Sequence, residues 1–421
     1  MKRSCSIPHV ILNVYLLLML VYVYASATGL SVKIIVLASL GALILTMLCA
    51  RYISVERGEF LWLLAVLVMF IWTRRIDSDV LYYNIIFLLT ISTLIVFQSR
   101  QLQINLNNVV KLFVGASFAT VILVILELVF REKIAVLLRI FLPSYALNDE
   151  LLYISARTGL RGLASSTNAV ALAGFIVLTY SLFVYDNQKR MLRYLGLVTS
   201  LIALVVCGER SNFIFVPLAI LLVYLLRNKN NKGFKYFKIL FSVFSLLSVF
   251  VLIRPQLEQI PALKRTFRTL DMLQKGNEIA GERSILYNRA CEMWKEKPLF
   301  GHGWFEFYYK NTGILKPGSN SHAHNLLFEA LAELGAVGTV LLFIPIIYCI
   351  VLNYKLIRNF EKTKTFNNYY DMLCFVFGFQ VFFILDSMLH LTFFSPRIIL
   401  YLISLFILFY IKRRRVEIYE I

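Results

Sequence analysis

Residues 110–130 read VKLFVGASFATVILVILELVF, with Lys111 at the start and Glu127 near the end as their charged side chains. Apolar side chains fill every face of a helix drawn through this stretch, so no polar stripe is left for water. A helix rises 1.5 Å per residue, and about 20 apolar residues cross the roughly 30 Å hydrocarbon layer of a bilayer. The stretch therefore predicts a transmembrane helix.

Working outward, comparable runs recur along the whole chain. We place them at 8–25, 33–50, 59–73, 80–98, 110–130, 169–185, 195–209, 211–226, 239–253, 333–353, 371–389 and 397–411. The expectation is an all-α integral membrane protein, one polytopic domain over residues 1–421, with about twelve transmembrane helices and a large outer loop between the ninth and tenth. Composition agrees: 59% of the 421 residues are hydrophobic and 16% charged, against about 25% charged in soluble chains. Disorder, coiled coil, collagen and disulfide scaffolds each need a charge, repeat or cysteine excess that is absent. The six cysteines show no CxxC spacing, so neither a zinc site nor a disulfide framework is indicated. Met1-Lys2-Arg3, an apolar run and Ala25-Ser26-Ala27 imitate a signal peptide. The apolar core is long for one, and the segment is kept as the first span.

The net charge of +19 invites a nucleic-acid reading, which the distribution removes. With the N-terminus inside, the inner segments hold 22 Lys and Arg, including Arg51, Arg57, Lys189, Lys229 and the tail Lys412 to Arg415, while the short outer loops hold 5: Lys33, Arg74, Arg75, Arg210 and Arg397. Lysine and arginine accumulate on the cytoplasmic side. Both termini are expected there, and basicity reports topology. Two outer segments exceed a hairpin: 131–168, whose Lys133 to Leu142 suits an interfacial helix, and 254–323. Long ordered loops are usually functional.

Four of five histidines, His302, His322, His324 and His390, fall on the outer side. The sharpest group is Ser321-His322-Ala323-His324-Asn325 before an apolar helix, followed by Glu329, Glu333 and Gly335. An imidazole at a helix mouth can take a proton from a sugar hydroxyl; equally, Ser321 or Asn325 can simply cap the helix. A metal site is disfavoured because helical positions i and i+2 do not share a face. Arginines form the second group: Arg210 in Gly208-Glu209-Arg210-Ser211, Arg283 in Gly281-Glu282-Arg283-Ser284, Arg157 and Arg161 before the sixth span, and Arg289 further along the Arg283 helix. A guanidinium grips phosphate oxygens bidentately and never loses its charge, although each arginine alone also reads as a solvated or snorkelling charge. Trp304, Phe305, Phe307, Tyr308 and Tyr309 could cover a sugar, though aromatics crowd membrane interfaces in any case. No G-x-x-x-x-G-K-[ST] loop is present, which argues against ATP-driven transport. A transporter using Glu127, Asp386 and the outer arginines would usually show two related halves; no convincing repeat is seen.

The run from Gly281-Glu282-Arg283 through Lys297-Pro298-Leu299-Phe300-Gly301-His302-Gly303 to His322-Ala323-His324-Asn325 and Gly335 resembles the signature region of the bacterial O-antigen polymerase and O-antigen ligase superfamily. The Gly208-Glu209-Arg210-Ser211 turn is similar to the arginine turn upstream in that family. The resemblance implies a metal-independent glycosyltransferase of the bacterial inner membrane with its active site on the periplasmic face and no cofactor. Its partners would be an undecaprenyl-diphosphate-linked glycan donor, a saccharide acceptor, the lipid bilayer and a chain-length regulator, without nucleic acid. His324 would be the base, with Arg210 and Arg283 holding the diphosphate, and Arg161, Arg157, His322, Asn325 and Arg289 would bind substrate. Polymerases of the family carry an arginine and a spaced glycine in the earlier outer loop; here Arg161 reaches Gly174 after thirteen residues rather than eleven, a departure that leaves the role of Arg161 open. Polymerisation of lipid-linked repeats is the expected activity, with ligation onto lipid A core as the alternative.

Overall fold

A computed structural model describes residues 7–24, 32–50, 53–74, 78–99, 102, 104–130, 160–164, 166–184, 190–227, 282–315 and 321–419. Arg157, the Lys133 to Leu142 stretch, the expected ninth span and residues 254–281 of the large outer loop lie outside the described residues. Within them every regular element is a helix. The order is α1 (Ile7–Tyr24), α2 (Val32–Cys49), α3 (Arg57–Trp72), α4 (Ser78–Phe97), α5 (Leu106–Val129), α6 (Thr167–Phe183), α7 (Arg190–Val206), α8 (Asn212–Leu226), α9 (Glu282–Glu296), α10 (Glu306–Lys310), α11 (Leu326–Lys362), α12 (Asn368–Ser387) and α13 (Ile398–Tyr419). Among them α1, α2, α4, α5, α11 and α12 contain stretches long and apolar enough to cross a membrane, and α6 and α8 are shorter apolar helices.

The all-round apolar sequences divide into inner and outer helices by packing. On α6 nearly every side chain is buried, as on α12; Phe175 and Phe382 stack between them at 4.1 Å. Outer helices expose Leu37 and Leu48 of α2 and Met191 and Val198 of α7. Such surfaces suit acyl chains, where burying apolar area against protein gives little gain over lipid and close packing decides contacts. Gly174 serves that packing: a Cβ there would lie 3.0 Å from Leu204 Cγ of α7. Ser117 and Thr179 return their hydroxyls to the preceding turn, to Phe113 O and Phe175 O, so these two polar atoms are not left facing hydrocarbon.

Contacts between connecting segments sort the helix ends into two sets. At one end Arg413 of α13 donates to Glu59, to Ser54 and to the Gln98 carbonyl, and Lys412 pairs with Glu56. At the other, Trp72 donates to Phe300 O, Trp304 to Asn84, Tyr83 to Phe393 O and Arg397 to Ser166.

The helix expected at 333–353 starts earlier, at Leu326, because Asn325 caps it by accepting from Leu327 N and Phe328 N. It is also broken. Gly335 has φ 65° and ψ −170°, a region essentially confined to glycine, which separates a half-helix 326–334 from the long remainder. The segment 298–303 fills the break: Ala336 N donates to Pro298 O and Val337 N to Leu299 O, while His302 N and Gly303 N donate to Ala332 O and Glu333 O. A Cβ on Gly335 would meet the Leu299 carbonyl, and one on Gly301 the Glu333 carbonyl. Backbone approaches this close require glycine on both sides. Gly335→Ala is expected to lower the thermal midpoint of the detergent-solubilised protein through strain of about 1–3 kcal/mol plus the clash. Gly115→Ala in α5, where nothing lies within 4 Å of the added carbon, is the control and should be neutral or stabilising by up to about 1 kcal/mol.

Candidate functional site

The half-helix carries the 321–325 segment at its N-terminal mouth. Asn325 spends its oxygen on the cap and its Nδ2 on Met388 O at 2.8 Å, which ties the mouth to the end of α12. Glu329, in the first turn and fully buried, reaches back to accept from His322 Nδ1 and from Ala323 N at 3.1 Å. A carboxylate in the first helical turn also faces the positive end of the helix dipole. Tyr308 stacks on the His322 ring at 4.6 Å and Phe305 meets its edge at 5.8 Å. His324 itself has φ 55°, a left-handed backbone uncommon outside glycine that concentrates at functional sites.

Side chains from two further segments contribute to this mouth. Arg283 opens α9, which is held against the half-helix through Leu286, Ala290 and Met293 packed with Ala323 and Ala332. His390 follows α12, and Arg397 precedes α13. Arg397 is anchored by donations to Ser166 Oγ at 2.6 Å, Ser395 Oγ at 2.7 Å and Leu391 O at 3.1 Å. Burial pushes the half-buried His324 imidazole down to about 4, and the positive potential of His322, Arg283, His390 and Arg397 adds to the effect. Burial likewise pulls the Arg397 guanidinium below its ordinary value, offset by Asp386 and Glu209; arginine remains charged throughout.

The opposite wall is built on the 207–211 turn. Ser211 Oγ lies 3.0 Å from His390 Nε2, which is also 3.5 Å from Glu209 and 3.8 Å from Asp386. Glu209 accepts from Thr167 and Asp386 from Thr392, whose oxygen takes a 2.8 Å bond from Asn168. Arg210 stands half-exposed between Glu209 and Ser211. Arg161 sits in the 160–164 turn, docked at the same end by Leu160 N on Val206 O and Gly162 N on Glu127. Glu127 thus holds a loop, which accounts for one acid inside a span.

Of the residues singled out in the sequence, His322, His324 and Arg283 come together, with Asn325 beside them in capping contacts. Arg289 is turned to Glu292, Glu296 and Asn311, on the part of α9 whose Met293 O meets His302. His302 joins that group: Lys310 Nζ donates to its Nδ1 at 2.9 Å and its Nε2 donates to Met293 O at 3.0 Å. Burial, then Lys310, lowers its pKa. Arg397 and His390 were not singled out as site residues. Their signal was faint but present: Arg397 is the lone basic residue between the last two apolar runs on the sparsely charged side.

Among the described residues no three of His, Cys, Asp and Glu are grouped to hold a metal ion. The arrangement offers fixed positive charge, imidazoles of low exposure and buried carboxylates at one helix mouth. It can hold an oxyanion and receive a proton.

Because His324 resists protonation when folded, the unfolded chain binds the extra proton between about pH 6.5 and 4, and folding stability falls as pH drops through that window. The thermal midpoint should therefore fall less between about pH 7.5 and 5 in His324→Gln than in the wild type; equal slopes would refute the shift.

No curated protein matches the chain significantly. Residues 195–343, which include the Arg210 turn, Arg283 and the 321–335 segment, match the family model described as O-antigen ligase, and over that stretch this helical membrane protein is similar to the O-antigen polymerase and ligase superfamily.

Proposed function

We propose that the chain is a membrane glycosyltransferase that polymerises undecaprenyl-diphosphate-linked oligosaccharide repeats into surface polysaccharide. The observation that carries the proposal is the convergence of Arg283, Arg397 and two histidines at the mouth of the half-helix, inside the stretch matching the O-antigen ligase family. A lipid diphosphate at headgroup level is a stable leaving group that needs charge neutralisation as the glycosidic bond breaks. Arg283 and Arg397, with Arg210 at the neighbouring turn, supply that charge without a metal. An imidazole of the 321–325 segment accepts the acceptor hydroxyl's proton, a role that the family resemblance assigns to His324. Attack on the anomeric carbon opposite the diphosphate inverts the centre. Energy comes from the donor bond, so no nucleotide enters.

In this reading the His324 mouth faces the periplasm, both termini are cytoplasmic in the inner membrane, and a chain-length regulator is a partner. Ligation onto lipid A core is the second reading, favoured by the description of the matching family. Both reactions need the same donor site and a sugar hydroxyl as nucleophile.

Deleting the gene in its host separates them. Lipid A core capped with a single repeat identifies the polymerase; uncapped core with accumulated lipid-linked polymer identifies the ligase. His324→Ala and Arg210→Ala should each abolish product while leaving membrane insertion intact, and normal polymer from both would discard the site. Arg283→Lys keeps charge but loses the bidentate fork and should lower transfer by about tenfold or more; full activity would reduce Arg283 to a diffuse field.

A further inference from the structure

The end of the bundle where Arg413 meets Glu59 holds a cavity of about 450 Å³, a size that admits a small-molecule group. It is remote from the histidine mouth: α12 begins in its wall and runs 20 residues before reaching Met388, about 30 Å at 1.5 Å per residue. Three helices build it. Ile104, Leu106 and Asn107 come from the start of α5, Asn368 from the start of α12, and Tyr410 and Arg414 from α13. Asn368 Nδ2 donates to Asn107 Oδ1 at 3.2 Å, and the Tyr410 hydroxyl donates to Ile104 O at 2.6 Å. The walls are therefore tied to one another.

The lining carries one guanidinium and, among the described residues, no carboxylate. Acids of this end pair with other cations: Glu56 with Lys412, Glu59 with Arg413 and Asp371 with Arg227. Arg414 lies over the Tyr410 ring, 5.6 Å from its centroid. Stacking engages the face of a guanidinium, whereas phosphate oxygens are gripped by its edge. The first residues of α5 and α12 are in the wall, so the positive ends of two long helices adjoin the cavity. Asn105 and Asn367 already cap those helices; the dipoles favour an anion, and the arginine provides the grip.

That chemistry suits a phosphate, and position selects its source. Helices α5 and α12 are apolar enough to cross a bilayer, which sets their ends at headgroup level, and Asn107 and Asn368 are exposed. We propose that this cavity holds the phosphodiester of an anionic phospholipid headgroup, in the leaflet opposite the histidine mouth. The site is independent of the transferase reading, since no step of that reaction uses it. A lipid seated there joins the starts of α5 and α12 to α13 and stabilises the folded chain by mass action.

The test measures lipid binding to the full chain in neutral detergent by native mass spectrometry, with phosphatidylglycerol and phosphatidylcholine as probes. The wild type should retain one phosphatidylglycerol about fivefold or more tighter than phosphatidylcholine, and Arg414→Gln should lose that preference. Lys355→Gln, which removes an exposed cation of α11 outside the lining, should keep it. Asn368→Asp separates binding from folding: an acid in the first turn suits α12, so the lipid-free thermal midpoint should hold while the preference for phosphatidylglycerol is lost. Inorganic phosphate in millimolar excess should not displace the lipid. If it does, and raises the thermal midpoint of the wild type but not of Arg414→Gln, the occupant is free phosphate and the lipid assignment falls. Equal retention of the two lipids by the wild type overturns the site, as does a preference that survives Arg414→Gln or Asn368→Asp, or one lost equally in Lys355→Gln.

Discussion

The exchange of backbone hydrogen bonds between the break at Gly335 and the segment 298–303 is the constraint on which the site depends. Interrupting a helix inside a membrane protein frees carbonyls on one side and N–H groups on the other, each costly to leave unpaired in hydrocarbon. Here the Ala332 and Glu333 carbonyls accept hydrogen bonds from His302 N and Gly303 N, and Ala336 N and Val337 N donate to Pro298 O and Leu299 O. The two glycines let the strands of chain touch. The consequence is positional: the half-helix ends against the 298–303 segment, its capped mouth is tied to Met388, and α9 is packed against it.

Charge is arranged around that mouth in two layers. The cations, Arg283 and Arg397 with Arg210 nearby, come from segments far apart in the chain. The acids sit behind, Glu329 under His322 and Glu209 with Asp386 near His390. Buried carboxylates of this kind are tolerated because each accepts hydrogen bonds from a fixed donor; isolated, they would cost several kcal/mol, of the order estimated for an unpaired ion in a protein interior. The layering leaves positive potential toward a substrate and gives each histidine a different electrostatic partner.

Much of the site was legible because its chemistry is local. Ser321 to Asn325 marked a helix start, and the cap at Asn325 is there. The histidine pair and Arg283 stood out as polar groups in an apolar chain, and they meet. Arg289 looked equivalent to Arg283, yet a turn and a half of helix directs it to Glu292 and Glu296 instead. Arg397 read as an ordinary interfacial charge because nothing near it in sequence carries chemistry. Its role comes from Ser166 and from the folding of α12 and α13 around the mouth. Glu127 and Asp386, which looked like candidate transport residues, hold a loop and a threonine.

The chain's own composition and periodicity determined that it is helical and membrane-embedded, since uninterrupted apolar stretches leave a backbone only one way to satisfy its hydrogen bonds in lipid. Local spacing likewise determined where the half-helix could begin. Which helices are inner or outer, where the tenth expected span breaks, and which cations share a site with His324 were decided by tertiary structure alone. Helix-to-helix packing among nearly uniform apolar surfaces turns on small residues and shape, and neither writes a period into the sequence.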